Sequence, residues 1–545
     1  MTTAVFWAII VPYLVYRAAW MVLRSYFVNT TTVLNDLELL RKTPSAQKVP
    51  GTAVIAGGSL AGYISARILV DYFEKIVIIE PEVDITLHGR ASQRAHFHGF
   101  LSTSLIILRG LFSNFDEEAA KHEVYLLPPF RHWWMGNSYL GDLEAKRLHH
   151  VAGSRFSMEN LCRHLSIAYC GENLQVIQGV VIDAEASSDE KTVCSVSFRR
   201  TSDDPQTIST IPCALLADCS GSSSIGMKLL PAASGAWGPF KRASYNPKAK
   251  YYSTTFRLSP ETQESVSRSL PKRHPDFGEW EHCGIVGLVS PMIEKVGREL
   301  FGYQRIDGDR LLLLYGGWDV ETCPRTIAQY VELAWQSYAK AFPKECHSRD
   351  EWFFNTLQVA GKGENLLDEP LKWDHYNLNS CSWNDYALKS IPNNFIAVGD
   401  SLMRVNPFFG QGVTKLLCNA TILNSTLYKM LGKSTVPRAE LPSGFSHTYF
   451  KRVLPIDKGM FDTTRMLDYG YKTTVPSAGD TLEFGAGFRK YWAALVNFVV
   501  HDAKAFVILD DVLCGYRPAI DLMSPSLILK SLFWMWWSPP KSVEE

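Results

Sequence analysis

The chain has 545 residues, too many for one compact core, so two or three units sharing an interface are expected. Basic and acidic residues balance at 55 each, and no basic stripe interleaves with aromatics, which leaves nucleic-acid recognition without support. The 11 cysteines are scattered with no C-x-x-C pair, which argues against a disulfide frame or a zinc site and for reduced thiols facing the cytosol.

Residues 4–23 (AVFWAIIVPYLVYRAAWMVL) form the first apolar run, near the ~20 residues needed to span a bilayer but interrupted by Pro12 and Arg17. No basic residue precedes it, whereas Arg17, Arg24, Arg41 and Lys42 follow, so the positive-inside rule puts the body of the chain on the cytosolic side. A membrane anchor or monotopic helix is therefore expected over residues 1–28. The plainer readings are a cleaved signal peptide and a helix packed on the protein. A linker is expected over 29–52, where TPSAQKVPGT at 43–52 is rich in Pro, Gly and Ser.

A dinucleotide-type unit follows. The apolar run 53–56 suits a buried parallel strand, Gly57, Gly58 and Gly62 break it, and apolar residues at helical spacing (Ile64, Ile68, Leu69, Tyr72) come next. A second buried strand at 76–79 ends on Glu80. This order of strand, glycine turn, helix, strand and acid builds a dinucleotide site. Gly57 allows the tight turn, and Ser59 replaces the usual middle glycine with another small residue. Gly62 lets the helix pack on the strand, the helix N-terminus faces phosphates, and Glu80 is placed for ribose hydroxyls.

The loop within 88–112 carries Arg90, Gln93, His96 and His98 before a helix paced by Leu101, Leu105, Leu108 and Leu111. No third ligand accompanies the two histidines, so no metal is expected there. Ser154 is a candidate N-cap with Arg155 just inside the helix. Residues 214–224 (ALLADCSGSSS) read as a strand running through Asp218 into a small-residue turn. From 240 to 392 the texture changes to strands, with a hairpin of 300–306 and 310–317 around Asp307-Gly308-Asp309 and a helix at 327–342.

Residues 394–413 (NFIAVGDSLMRVNPFFGQGV) place Gly399 and Asp400 at the carboxyl end of a buried strand, the edge where open α/β sheets bind ligands. Pro407, Gly410 and Gly412 then lead into a helix whose N-terminus faces something negative or electron-rich. Beyond 451 the chain reads as helical. Residues 527–537 (LILKSLFWMWW) are too short to span a bilayer and suit the headgroup layer or docking on the core. The glycosylation triplets at Asn29, Asn419 and Asn424 read as chance matches.

Together GGSLAG with Glu80, DCSGSSS at Asp218 and GDSLMRVNPFFGQG at Asp400 resemble the FAD-dependent monooxygenase superfamily of the p-hydroxybenzoate hydroxylase type, near the branch of squalene monooxygenase and bacterial FAD-binding monooxygenases. The resemblance covers about residues 50–430. It implies an α/β fold with a Rossmann-like FAD-binding domain (53–239 and 393–450), an inserted β-sheet substrate domain (240–392) and a helical C-terminal region (451–545). It implies that Gly57, Ser59, Gly62 and Glu80 hold the ADP half of FAD and that Gly58 and Arg155 contact the cofactor, with Asp218 in the second motif and Gln93 near the flavin. Gly399 and Asp400 would meet the ribityl chain, and Pro407, Gly410 and Gly412 the isoalloxazine edge.

The implied activity is oxygenation of a lipophilic terpenoid or polyketide by hydroxylation or epoxidation, in which reduced flavin captures O2 at C4a and passes on one oxygen atom. NAD(P)H would reduce the flavin transiently, or a partner reductase would. The setting would be a membrane of the endoplasmic-reticulum type, with the catalytic body on the cytosolic side. His96, His98 and Tyr303 are candidates for a catalytic base. The Gln-Pro-Gly-Gly stretch of the squalene enzyme is absent, and the Trp-x-Trp of flavin halogenases occurs only at Trp534–Trp536 without its Ile-Pro. A prenyl-reductase-type enzyme, a flavin halogenase and a non-enzymatic membrane adaptor are the rival readings.

Overall fold

The structure is a computed structural model that describes residues 2–44, 47–90, 92–127, 129–135, 138–140, 150–204, 206–270, 284–290, 297–342, 344–387, 390–432 and 440–537. Its chain begins with helix α1 (Thr2–Thr31), then strand β1 (Val49–Ala56), helix α2 (Leu60–Leu69) and strand β2 (Phe73–Glu80). Helices α3 (Ser102–Leu111), α4 (Phe115–Lys121) and α5 (Arg155–Cys170) follow. Ala53 to Ala56 of β1 and Ile76 to Ile79 of β2 are all buried, as expected of strands covered on both faces.

A seven-stranded sheet runs Phe395–Ala397, Leu215–Asp218, β1, β2, Leu174–Ala186, Val193–Arg200 and Ser209–Pro212. Its first five strands are parallel. Register aligns their carboxyl ends: Ala56 pairs with both Ile79 and Asp218, and Asp218 with Ala397. The turns after three of these strands, at Gly57, Cys219 and Gly399, therefore leave the sheet along one edge. This is the Rossmann-like unit expected from the motifs.

A second seven-stranded sheet forms the inserted domain. Asp374–Leu378, Ala249–Arg257, Arg310–Trp318, Glu299–Ile306 and Gly284–Ser290 lie inside the expected 240–392, but the sheet continues into Pro129–Met135 and Ser138–Leu140. The reason is a parallel pairing of Gly284–Ser290 with Pro129–Met135, a long-range contact that no local pattern announces. The hairpin stands as expected: Asp307 (φ 44) and Gly308 (φ 73) take the left-handed conformations a tight turn requires. Helices Ile327–Ala341 and His347–Gly363 cover one face of this sheet and share its core.

Residues 445–537 are mainly helical, in Phe445–Asp468, Ala486–Val499, Ala503–Leu513 and Pro525–Trp537. The segment expected to be a linker is partly built into the fold. Val33 and Leu40 are buried, and the buried Asp36 carboxylate accepts bonds from Ser425 Oγ (2.5 Å), Lys429 Nζ (2.8 Å) and Arg452 Nη2 (2.6 Å). Arg24 of α1 grips Asp521 through two nitrogens at 2.8 and 3.0 Å. Among the described residues no helix is long and apolar enough to cross a membrane, so the spanning form of the anchor expected at 1–28 is not supported.

Candidate functional site

The strand-end turns surround a cavity of about 520 Å³. Gly57, Ser59, Glu80, Gln93, His98, Arg155, Gly399, Asp400, Pro407, Gly410 and Gly412 line it. Three of the expected cofactor-binding residues, Gly58, Gly62 and Asp218, are not in its lining, for reasons the packing explains.

The glycine turn is a contact of chain on chain. Gly57 has φ 108, and a Cβ there would stand 2.3 Å from Cys219 O. A Cβ on Gly62 would stand 2.0 Å from Gly57 O. Gly58 packs on Glu80, whose Oε2 accepts the Gly58 N–H at 2.6 Å while Oε1 accepts that of Glu82 at 2.8 Å. Ser59 occupies ordinary backbone space (φ −84), so this position needs no glycine. Its hydroxyl accepts a bond from Arg155 at 3.3 Å at the start of α2, whose first backbone N–H groups carry partial positive charge.

Arg155 belongs to a buried ionic cluster. Glu159, without exposure, faces Arg155 Nε at 3.5 Å and Arg94 Nε and Nη2 at 3.2 Å each, and Arg94 continues to Glu82 at 2.9 Å. Burial alone pushes the Glu159 carboxyl up, but Arg155 and Arg94 outweigh it and hold the group below the usual range. Arg94 was not singled out in the sequence, where it is one basic residue among several in a polar loop.

Gly399 (φ 73) and Asp400 follow the strand Phe395–Ala397. Lys415 lies without exposure in the helix Gly412–Met430, its Nζ 2.6 Å from Asp400 Oδ1 and also bonded to Met403 O. Burial pushes Asp400 up and Lys415 with Arg404 pulls it down, for a net lowering. Lys415 is a second residue that sequence reading missed, although a lone charge within an apolar helical run was the available signal. The Gly410 and Gly412 positions look onto open space: a Cβ at either would meet nothing within 4 Å. Gln93 donates to Tyr376 Oη at 3.1 Å, and Arg404 bonds the same oxygen.

Asp218 serves its own turn. It is fully buried and accepts from Ser220 N (3.0 Å), Ser220 Oγ (2.6 Å) and Gly226 N (2.8 Å), which fixes the DCSG loop against Gly57. Burial pushes its carboxyl up. Tyr303 sits in the sheet-domain core, stacked on Phe353 at 4.7 Å and outside the cavity lining. His96 is buried, bonded to Ser253 Oγ at 3.0 Å, and burial pushes it down to about 4. His98 reaches the cavity, and burial with Arg155 nearby pushes it down to about 3, so both rings are neutral at physiological pH.

No family model and no curated protein matches the sequence. Solved structures do match the fold. The flavin-dependent brominase Bmp2 superposes on 89% of this chain and 98% of its own, with a TM-score of 0.54 at 10% identity. A flavoprotein/dehydrogenase from Cytophaga hutchinsonii superposes on 90% of this chain and 100% of its own, also with a TM-score of 0.54 at 10% identity. With the Rossmann-like sheet and the three strand-end turns, this likeness gives the chain the fold of these two flavoproteins.

Proposed function

We propose that the protein is an FAD-dependent monooxygenase acting on a lipophilic small molecule. The observation that carries this reading is the convergence on one cavity of the Gly57 turn with Glu80, the Arg155 cluster and the Gly399–Gly412 turn. The donor set suits FAD, with an acid for ribose hydroxyls at Glu80 and a helix N-terminus with Arg155 for the pyrophosphate. Asp400 suits the ribityl hydroxyls, and the N-terminus of Gly412–Met430 suits the ring edge, where the open space at Gly410 and Gly412 admits close approach.

Bound flavin would supply electron transfer and O2 activation, reduced by NAD(P)H or by a partner reductase. The chain's own part is to bind and to exclude water. Neutral His98 keeps a hydrogen-bonding group, not a charge, at the cavity wall, and the N-terminal amides of Gly412–Met430 favour negative charge on whatever faces them. The sheet domain, whose Tyr376 borders the cavity beside Arg404, would position the substrate.

Purified protein should carry FAD, and extracts incubated with it should show a product heavier by one oxygen. A product two hydrogens heavier, with no O2 uptake, would sink this reading. The likeness to a brominase favours a second one, in which the product gains bromine or chlorine in place of hydrogen when halide is supplied.

Peripheral membrane binding on the cytosolic side is part of the proposal. Tyr13, Tyr16, Val22 and Tyr26 of α1 and Phe533, Trp536 and Trp537 of the last helix are exposed, and the Arg24–Asp521 pair ties the two ends of the chain together. Flotation with liposomes should recover the full chain and not one lacking residues 1–28; equal recovery of both would refute a role for α1.

A further inference from the structure

Beyond the flavin-type cavity, α4 and α5 present a second cluster of ligating side chains. We propose that Glu118, His122 and His164 form a binding site for a divalent transition-metal ion of the zinc type. One ligand atom from each lies within 4.8 Å of the others. Glu118 Oε2 is 3.6 Å from His164 Nε2, and the two imidazole rings are 4.8 Å apart between centres. The second oxygen, Oε1, is held by Lys121 at 2.8 Å, which fixes the carboxylate with Oε2 turned toward the histidine.

The backbones that carry these groups are fixed from beneath. Phe115 and Ala119 bury α4, and Ala119 O accepts the N–H groups of His122 (3.1 Å) and Val124 (2.9 Å) just past the helix end. Leu161 and Leu165, both buried, anchor α5 on either side of His164. Glu118 and His122 are thus partly buried and His164 exposed, all on rigid supports.

Tetrahedral zinc with bonds of about 2.0–2.2 Å keeps its donors roughly 3.4 Å apart, so the three groups need to close by up to about 1.4 Å, a movement of the side chains. Two imidazoles and one carboxylate favour zinc, cobalt or nickel over magnesium or calcium, and leave a fourth position for water. His164 lies nine residues beyond Arg155, about 13 Å along α5. A bound ion would therefore clamp α4 to α5 at a distance from the cavity, and the proposal does not depend on the flavin reading.

The test is titration of chelator-treated full-length protein with zinc sulfate by calorimetry and with cobalt chloride by visible absorption. Wild type should bind one equivalent, with tetrahedral cobalt bands and no thiolate charge-transfer band. His122→Ala and His164→Ala should each bind at least about tenfold more weakly, and the double variant should lose the site while keeping the wild-type circular dichroism. Failure of the wild type to bind would overturn the proposal. So would equal binding by the double variant, or a thiolate band that places the ion on a cysteine such as the exposed Cys194.

Discussion

The glycine turn after β1 and the Asn406–Gly412 turn face the same cavity, yet they are held in different ways. The first is held by backbone packed on backbone, with Gly57 under Cys219 O and Gly62 under Gly57 O. The second has empty space beside Gly410 and Gly412 and is held from behind by buried acids of a later helix. Asp468 accepts from Asn406 Nδ2 (2.8 Å), Trp318 Nε1 (2.8 Å) and Tyr245 Oη (2.7 Å), so one carboxylate joins the turn, the sheet domain and Phe445–Asp468. Asp457 accepts from Asn419 Nδ2 at 2.9 Å, and Asn419 in turn accepts the Gly399 N–H at 2.9 Å. A steric hold tolerates no added atom. An electrostatic hold tolerates added atoms and responds to charge and pH.

The sharpest way to break this contrast is a pair of alanine substitutions. Gly62→Ala should destabilise the protein by about 3 kcal/mol or more, because its Cβ meets backbone and not a side chain that can turn away. Gly412→Ala should stay within about 0.5 kcal/mol of wild type and show its effect only in flavin retention. Denaturant melts measure both, and equal costs would erase the distinction. Next in size, Lys415→Met strips the partner from Asp400; the acid is 32% exposed on the cavity side and can recruit water, so about 1–3 kcal/mol is expected. Flavin should then wash out on a desalting column, and full retention would show that the pair does not shape the site. Asp468→Asn should cost a similar 1–3 kcal/mol or less, since one amide cannot accept all three bonds. Its retained flavin should show a shifted absorption spectrum; an unchanged spectrum would separate Asp468 from the turn.

What the sequence revealed follows the same division. Gly57, Ser59, Glu80, Asp400 and Gly410 were legible because a strand, a turn and a helix in a short stretch fix their neighbours by spacing alone, whereas Arg155 was told from a surface arginine only by the family resemblance. Asp218 looked like Glu80 and Asp400, another acid at a strand end, but Ser220 and Gly226 consume its lone pairs, which spacing does not reveal. Strands Pro129–Met135 and Ser138–Leu140 join a sheet whose other strands begin at residue 249, and their pairing depends on the whole chain being folded. Arg94, Lys415, Asp457 and Asp468 escaped for a related reason: each acts through partners that are distant in sequence, and only burial turns an ordinary charge into a fixed one.

The subtlest consequence of the electrostatic hold is in pH. Burial pushes the Asp457 carboxyl up to about 7, with Lys415 and Asn419 opposing only in part, and pushes Asp468 up to about 6 despite its three donors. An unfolded aspartate titrates near 3.9, so between about pH 4 and 7 the folded chain binds more protons than the unfolded one. Stability contributed by protonated Asp457 is therefore complete below the unfolded value and is lost as pH rises through 7. The carboxyls of Glu159, Asp400 and Asp36 are lowered and act in the opposite sense, but their contribution is lost only in acid below that window. Asp457→Asn keeps the acceptor for Asn419 and removes the titration. The variant should match wild type near pH 5 and exceed it near pH 8, by on the order of 1 kcal/mol. Urea melts at the two values decide it: if both proteins lose stability in parallel from pH 5 to 8, the buried acid behind Gly399 is not what makes this end of the cavity sensitive to pH.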